Sequence, residues 1–362
     1  MTGLRGLDTD VNEFHRSFAA IDRTFRKNLS SPVLLSAVSS EVTPFVPAFG
    51  LCGGHRQTLL SAFVTASSVF QGTRQHRVAV SDGDFVVLHD DRPDDWVCGH
   101  HAVLLLHGLS GCHGSGYMMR IASRLNRQGV RSFRMDHRGC GAGEGLARHP
   151  YHAGRINDLH CAVTTIENLC PGSSISIVGF SLSGNLLLRY LGDRSFDHSR
   201  NLFRAVAVSP PIDLKHCVKQ LGNSGIGRSY DSYFTRRLIR QVSRGRQWRD
   251  NLPLAQVKRP PRRLYDFDNL FTAPASGFES ADDYYNFASA GPYLDRINCP
   301  TTILAAEDDP LVSSEPFNHQ TLSPSVTLCL TKHGGHLGYL GRRCDDPDRH
   351  WMDWRVIEWL LT

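Results

Sequence analysis

Short apolar runs alternate with amphipathic segments of helix length along most of the chain. After residue 100 the pattern predicts six buried strands, at Ala102 to Leu106, Val130 to Met135, Ile175 to Val178, Ala205 to Val208, Thr301 to Ala305 and Val326 to Leu330. Strands that alternate with helices usually form a parallel sheet with helices on both faces. We therefore expect an α/β fold with a mostly parallel central sheet flanked by helices.

Two further strands are predicted ahead of this region. The segments His76 to Val80 and Phe85 to His89 are both strand-like, and the dipeptide Asp82-Gly83 between them favours a tight turn. The sequence therefore predicts an antiparallel hairpin before the parallel part of the sheet.

The same pattern indicates how the chain is divided. Residues 8–28 carry apolar side chains every three or four positions, so we expect an N-terminal helical arm over residues 1–45 that packs on the main domain. The main domain is expected over residues 46–362. Residues 210–295 contain helical pieces but no convincing strand, and we expect them to form a helical cap inserted between two strands.

Composition and charge exclude several classes of protein. Hydrophobic residues at 41% and charged residues at 21% are near globular averages, and no apolar run approaches the roughly 20 residues of a membrane span. The net charge of +5 is too small to indicate nucleic-acid binding. The 10 cysteines form no C-x-x-C pair, which argues against a zinc site. Without an export signal, we expect a cytoplasmic protein that needs no metal or other cofactor.

The strongest chemical signal follows the strand that ends near Val178. There a buried strand, a sharp turn around Ser181 and a helical run follow one another, which is the setting of a nucleophile elbow. Gly179 fits the G-x-S-x-G pattern, but Ser183 occupies the place of its second glycine and Gly184 comes one position later. The alternative is a Ser- and Gly-rich helix start that caps itself.

A nucleophilic serine needs a histidine base and an orienting carboxylate, which follow it in that architecture in the order acid, then histidine. Asp308 and Asp309 follow the strand that ends at Ala305, and we favour Asp309 as the acid while Asp308 stays open. His336 follows two glycines that let its loop swing over the sheet edge, so we favour it as the base. His333 is expected to be structural.

An oxyanion hole would complete a site for acyl transfer, because the negative charge of a tetrahedral intermediate needs backbone N–H donors. The turn His107-Gly108-Leu109 leaves the first of the six strands. We expect the amides of Leu109 and Leu182 to form the oxyanion hole, and His107 to brace the turn.

Residues 44–345 resemble the YheT-like branch of the α/β-hydrolases, which contains bacterial esterases and abhydrolase-domain proteins of animals and plants. The segments that carry the resemblance are Gly53 to Thr58, His107 to Leu109, Arg138 to Gly141, Gly179 to Leu182, Phe267-Asp268, Thr272 to Pro274, Asp283 to Tyr285, Asp308 to Pro310 and His333 to His336. Ser183 stands where this family usually has glycine.

The resemblance implies an enzyme that cleaves carboxylic esters through an acyl-enzyme on Ser181, with His336 as base and then acid, and with Asp309 orienting it. Its substrates would be short- to medium-chain acyl esters or lipid-like esters, and no cofactor is required. Transfer of the acyl group to an alcohol is one alternative, since it uses the same acyl-enzyme. A pseudo-hydrolase that binds ligands without turnover is the other, and Ser183 is its support.

A strongly basic segment lies inside the expected cap. It contains ten arginines and one lysine against Asp231 and Asp250, at Arg228, Arg236, Arg237, Arg240, Arg244, Arg246, Arg249, Lys258, Arg259, Arg262 and Arg263. One interpretation is a solvent-exposed helix whose basic side chains balance acidic residues elsewhere in the protein. The other is a surface that attracts anionic substrates or contacts an anionic lipid surface peripherally.

Overall fold

The computed structural model describes residues 43–63, 72–223, 225–244, 260–343 and 346–362. The predicted N-terminal arm lies almost entirely outside the described residues and stays a prediction. The strands are β1 Arg74–Ala79, β2 Phe85–Asp91, β3 Ala102–Leu106, β4 Arg131–Asp136, β5 Ile175–Phe180, β6 Leu202–Val208, β7 Thr301–Ala306 and β8 Val326–Thr331. The helices are α1 Gly54–Phe63, α2 Gly116–Arg127, α3 Ile156–Leu169, α4 Leu182–Gly192, α5 Leu214–Asn223, α6 Gly225–Arg244, α7 Leu264–Phe267, α8 Ala273–Ala275, α9 Ala281–Ala288 and α10 Trp351–Leu361.

The eight strands form one sheet in the order β1-β2-β4-β3-β5-β6-β7-β8. The pairs β1–β2 and β2–β4 are antiparallel, and every other pair is parallel. Gly83 has a φ of 82° in the turn between β1 and β2, a conformation that glycine adopts without strain. The predicted α/β fold with a mostly parallel sheet is confirmed.

Helices cover both faces of this sheet, and the side chains of β3 show how. Leu104 and Leu106 point into the core on the α3 side, whereas Val103 and Leu105 point into the core beneath α2 and α10. All four are fully buried. Burial of one such side chain contributes about 1.5–3 kcal/mol, so a strand that is apolar on both faces favours this central position.

Two strand boundaries differ from the apolar pattern for identifiable reasons. β2 continues through Asp90 and Asp91, because Arg131 and Arg134 on β4 pair with these buried carboxylates at 2.7 and 2.6 Å. β6 begins at Leu202, three residues before its apolar run, where its side chains are partly exposed. Apolarity alone does not reveal strand ends that are polar or solvent-facing.

Every regular element described between β6 and β7 is helical. Apolar side chains of these helices pack on one another and on the loop after β7, for example Leu221 and Leu264 on Leu311, and Val242 on Phe267. These helices lie over the carboxyl end of the sheet, where their apolar faces are buried. Among the described residues, no helix is both long and apolar enough to cross a membrane.

Candidate active site

Ser181 occupies the sharp turn between β5 and α4. Its φ of 53° and ψ of −121° are strained for a residue with a side chain. The turn is possible because Gly179 is small, since a Cβ there would lie 2.3 Å from the carbonyl oxygen of Ser183. Gly184 allows the helix to pack closely on Pro210, because a Cβ on it would lie 3.0 Å from Cβ of Pro210. The strand, turn and helix therefore hold the Ser181 hydroxyl at the carboxyl end of the sheet.

The structure brings Ser181, His336 and Asp309 together in one hydrogen-bonded row. His336 Nε2 lies 2.9 Å from Ser181 Oγ, and His336 Nδ1 lies 2.8 Å from Asp309 Oδ2. A carboxylate only accepts, so Nδ1 carries the proton and Nε2 accepts from the serine hydroxyl. Asp309 and His336 are buried, whereas Ser181 is partly exposed. The arrangement can transfer the serine proton to the imidazole.

The two adjacent aspartates have different partners. The other oxygen of Asp309, Oδ1, accepts hydrogen bonds from the amides of Leu311 and Val312 at 2.8 and 3.0 Å, so both of its oxygens are held in place. Asp308 instead accepts from the Gly335 amide at 2.9 Å and contacts His333 Nδ1 at 3.2 Å. Asp308 thus fixes the loop that carries His336, while Asp309 contacts the imidazole itself.

Leu109 and Leu182, the two residues predicted to form the oxyanion hole, lie close to Ser181. Gly108 packs so closely on Ser181 that a Cβ there would lie 3.1 Å from the serine Cβ. Within the described part of the chain, neither the amide of Leu109 nor that of Leu182 has a hydrogen-bond acceptor, and both residues line the same cavity as Ser181. His107 Nδ1 donates to the Gly108 carbonyl at 2.8 Å and braces the turn.

Helix α1 supports the loop that carries His336, a contribution that the sequence pattern does not predict. The His336 amide donates to Thr58 Oγ1 at 2.8 Å, and Thr58 Oγ1 donates to the Gly54 carbonyl at 2.7 Å. Gln57 is fully buried and bonds both the amide and the carbonyl of Leu340. The segment Gly53 to Thr58 is one of those that carry the family resemblance, and these contacts give it a physical role.

Ser183 takes part in a buried hydrogen-bond network behind the elbow. Its hydroxyl donates to the His107 carbonyl, and it lies 2.8 Å from His137 Nε2 and 3.0 Å from the Tyr151 hydroxyl. Because its single proton goes to the carbonyl, Ser183 accepts from both His137 and Tyr151. Serine at the usual glycine position is therefore accommodated by specific partners and ties three loops together.

An apolar cavity of about 110 Å³ opens beside Ser181. Its lining comes from the sheet loops and from helices between β6 and β7, including Leu214, Leu238 and Phe267. Cys217 also lines it, but burial raises the pKa of this thiol to about 12 and Sγ donates to the Leu311 carbonyl at 3.3 Å. The thiol is therefore protonated and a poor nucleophile at neutral pH.

Potential metal ligands lie apart from this cavity. Among the described residues, two groups bring three such side chains together, namely His89, His113 and Asp136, and Asp82, Asp84 and His149. In the first group both histidines and two backbone amides already bond the Asp136 carboxylate. Burial by itself would raise the pKa of Asp136, but hydrogen bonds from His113 and His89 hold it well below its usual range.

In the second group, arginine side chains already pair with the carboxylates. Arg138 bonds both Asp82 and Asp84, and Arg148 and Arg155 add further contacts to these carboxylates. Both groups are thus satisfied by hydrogen bonds and ion pairs that stabilise the fold. The expectation of a site without metal stays a prediction.

Comparison with known proteins agrees with this architecture. The profile of the family described as "Serine aminopeptidase, S33" matches residues 99–338. The chain is also 31% identical over 327 residues to the protein named "Putative esterase YheT" of Escherichia coli, which covers 89% of this chain and 94% of that protein. The chain belongs to this α/β-hydrolase family. The predicted resemblance to the YheT-like branch is confirmed.

More distant relatives support the same assignment. Phospholipase ABHD3 of Mus musculus is 28% identical over 311 residues, which is 81% of this chain and 73% of that protein. The esterase Pf2001 of Pyrococcus furiosus is similar in structure, with a TM-score of 0.53 at 18% identity over 82% of this chain and 96% of that one. The second likeness supports the fold alone. The chain is an α/β-hydrolase of the esterase and lipase type.

Proposed function

We propose that this protein hydrolyses carboxylic esters through an acyl-enzyme on Ser181. The observation that carries the proposal is the unbroken row of hydrogen bonds from Asp309 through His336 to Ser181, at 2.8 and 2.9 Å, at the mouth of an apolar cavity. A serine hydroxyl is a weak nucleophile unless a base accepts its proton, and this row supplies the base and its orienting acid. The triad chemistry requires no cofactor.

The reaction follows from the positions of these groups. Ser181 Oγ attacks the ester carbonyl carbon while its proton passes to His336 Nε2, and the carbonyl oxygen becomes an oxyanion that accepts hydrogen bonds from the amides of Leu109 and Leu182. The C–O bond to the alcohol then breaks, and His336 gives the proton to the leaving oxygen. Water attacks the acyl-enzyme by the same route, which releases the acid and restores the serine.

The substrate class is inferred from the cavity. Leu182, Leu214 and Phe267 offer apolar contacts to an acyl chain, and charged groups are few along the lining. A chain of short to medium length would gain about 0.8 kcal/mol of favourable transfer free energy for each methylene that it buries. The names of the relatives, esterase and phospholipase, agree with ester substrates of this kind.

A panel of p-nitrophenyl esters of increasing acyl length tests this proposal. We expect saturable hydrolysis, with KM falling as the chain lengthens until the cavity is filled. Acyl transfer is tested in the same assay by adding ethanol and measuring the ethyl ester, because only an alcohol acceptor gives that product. Lack of turnover with every ester would refute the proposed function.

Thr58→Val is expected to lower kcat by about tenfold, because a loop displaced by a fraction of an ångström misaligns His336 with Ser181. Valine keeps the shape of threonine and removes the oxygen that accepts from the His336 amide. The measurement is kcat with a p-nitrophenyl ester, together with the midpoint of urea unfolding.

Thr58→Ser is the matched control, since it retains the hydroxyl and should restore most of kcat. If valine and serine variants have the same kcat as the unmodified protein, Thr58 does not position the histidine.

A further inference from the structure

A second groove adjoins the acyl cavity beside the turn that carries Leu109. The two spaces share Ser110 and Gln241 in their linings, and two arginines of α6, Arg237 and Arg240, line the second. Consecutive Cα atoms are about 3.8 Å apart, so Ser110 lies at most roughly 8 Å from Gly108, which packs directly on Ser181. A ligand with its acyl chain in the cavity can therefore reach the groove with the other end.

Arg237 is held with its guanidinium at the junction of the two spaces. Its Nη2 donates to the Ser110 carbonyl at 3.0 Å and its Nη1 donates to the Tyr233 hydroxyl at 3.2 Å. Both partners are neutral, and a guanidinium has five N–H donors, so its charge and further donors are left for a ligand. These two hydrogen bonds orient the exposed guanidinium before any ligand binds.

Arg240 lies one helical turn closer to the C-terminus of α6, on the same side of the helix. Among the described residues, neither Arg237 nor Arg240 forms an ion pair with a carboxylate, although Glu144 also lines the groove. Both side chains are exposed, unlike the buried guanidinium of Arg138, which pairs with Asp158. The groove therefore has an excess of positive charge beside the cleavage site.

We propose that this groove, formed around Arg237 and Arg240, binds a phosphate group on the alcohol side of the ester substrate. The inference rests on the proposed ester hydrolysis at Ser181. Arginine suits phosphate because its planar donors bond two oxygens at once, and two guanidiniums can share the three outer oxygens of a phosphate monoester. The substrate would be an acyl ester of a phosphorylated alcohol, with the acyl chain in the cavity and the phosphate in the groove.

The test compares two esters with the same acyl chain, octanoyl glycerol 3-phosphate and octanoyl glycerol. The ratio of their kcat/KM values is the readout, because Arg237 also braces Ser110 and its loss can affect both esters. Arg240→Gln and the double variant Arg237→Gln with Arg240→Gln should lower the ratio by about tenfold or more, mainly through KM of the phosphate ester. An unchanged ratio in the double variant would overturn the proposal.

Arg236→Gln is the matched control. Arg236 lies on the same helix but does not line the groove, and its Nε donates to the Ser232 carbonyl at 3.0 Å. The substitution Arg236→Gln removes one positive charge, as Arg240→Gln does. A general effect of helix charge would therefore change the ratio equally in both variants. We expect the ratio to change by less than about twofold. An effect as large as that of Arg240→Gln would contradict a defined subsite.

Two further measurements separate the sources of phosphate and the two proposals. Inorganic phosphate should compete with the phosphate ester and leave cleavage of octanoyl glycerol unchanged. If it alters cleavage of the neutral ester, the groove is an effector site and the substrate assignment is wrong. If neither these esters nor the p-nitrophenyl esters are cleaved, the proposed function fails, and calorimetry with glycerol 3-phosphate decides the subsite. Binding that Arg240→Gln removes would support it, and no binding would overturn it.

Discussion

Replacing Ser181 with alanine is expected to lower ester hydrolysis by about 10⁴-fold or more, because Ser181 Oγ is the nucleophile that bonds His336 Nε2. Ser181 is partly exposed, and its hydroxyl bonds His336 Nε2. Because the side chain is not packed in the core, its truncation should leave the fold intact. The measurement is kcat/KM with a p-nitrophenyl ester, and the unfolding midpoint shows whether the variant is folded.

Ser183→Ala is the matched control, since it removes the other hydroxyl of the elbow. We expect it to lower the free energy of unfolding by about 1–3 kcal/mol, because Tyr151 and His137 lose a buried acceptor. It should still turn over ester, since the Ser183 hydroxyl donates to the His107 carbonyl and accepts from His137 Nε2, so that this histidine is not placed to take its proton. Equal loss of activity in the two variants would mean that the nucleophile is assigned wrongly.

Asp309→Asn is expected to reduce kcat by about 10⁴-fold, the size of effect known for loss of the orienting acid in a serine protease triad. An amide at this position can donate to Nδ1, which moves the imidazole proton to Nε2 and removes the acceptor for the Ser181 hydroxyl. The protonated histidine also loses its negative partner. The measurement is kcat across a series of pH values at saturating ester.

Asp308→Asn provides the comparison at the adjacent position. Its side chain bonds the Gly335 amide and His333, so the change should loosen the loop and cost far less than Asp309→Asn. If Asp308→Asn is the more damaging of the two, the orienting role belongs to Asp308.

The fold was predictable because buried parallel strands are apolar on both faces. The runs Ala102 to Leu106 and Thr301 to Ala305 correspond closely to β3 and β7. The same criterion could not find the end of β2, where Asp90 and Asp91 are buried only because arginines on β4 pair with them. Such a pair joins residues about 40 positions apart and leaves no periodic signal in the sequence.

The side chains around Ser181 were predictable where the order of elements is fixed by the architecture, as for His336 and the two aspartates. The contribution of α1 was not, because Thr58 and Gln57 meet the histidine loop across about 280 residues of chain. Arg237 and Arg240 belong to a basic segment, and the sequence alone does not distinguish its arginines from one another. The helix orientation in the structure separates these two, which line a groove, from Arg236, which does not.

Labelling with a fluorophosphonate tests most directly whether Ser181 is an activated nucleophile. The reagent forms a covalent bond with a serine whose proton a neighbouring base accepts. Mass spectrometry of the digested protein should find the phosphonyl group on Ser181, with none on Ser183, and labelling should be lost in His336→Ala. A folded protein that remains unlabelled, or one labelled at another serine, would contradict the account.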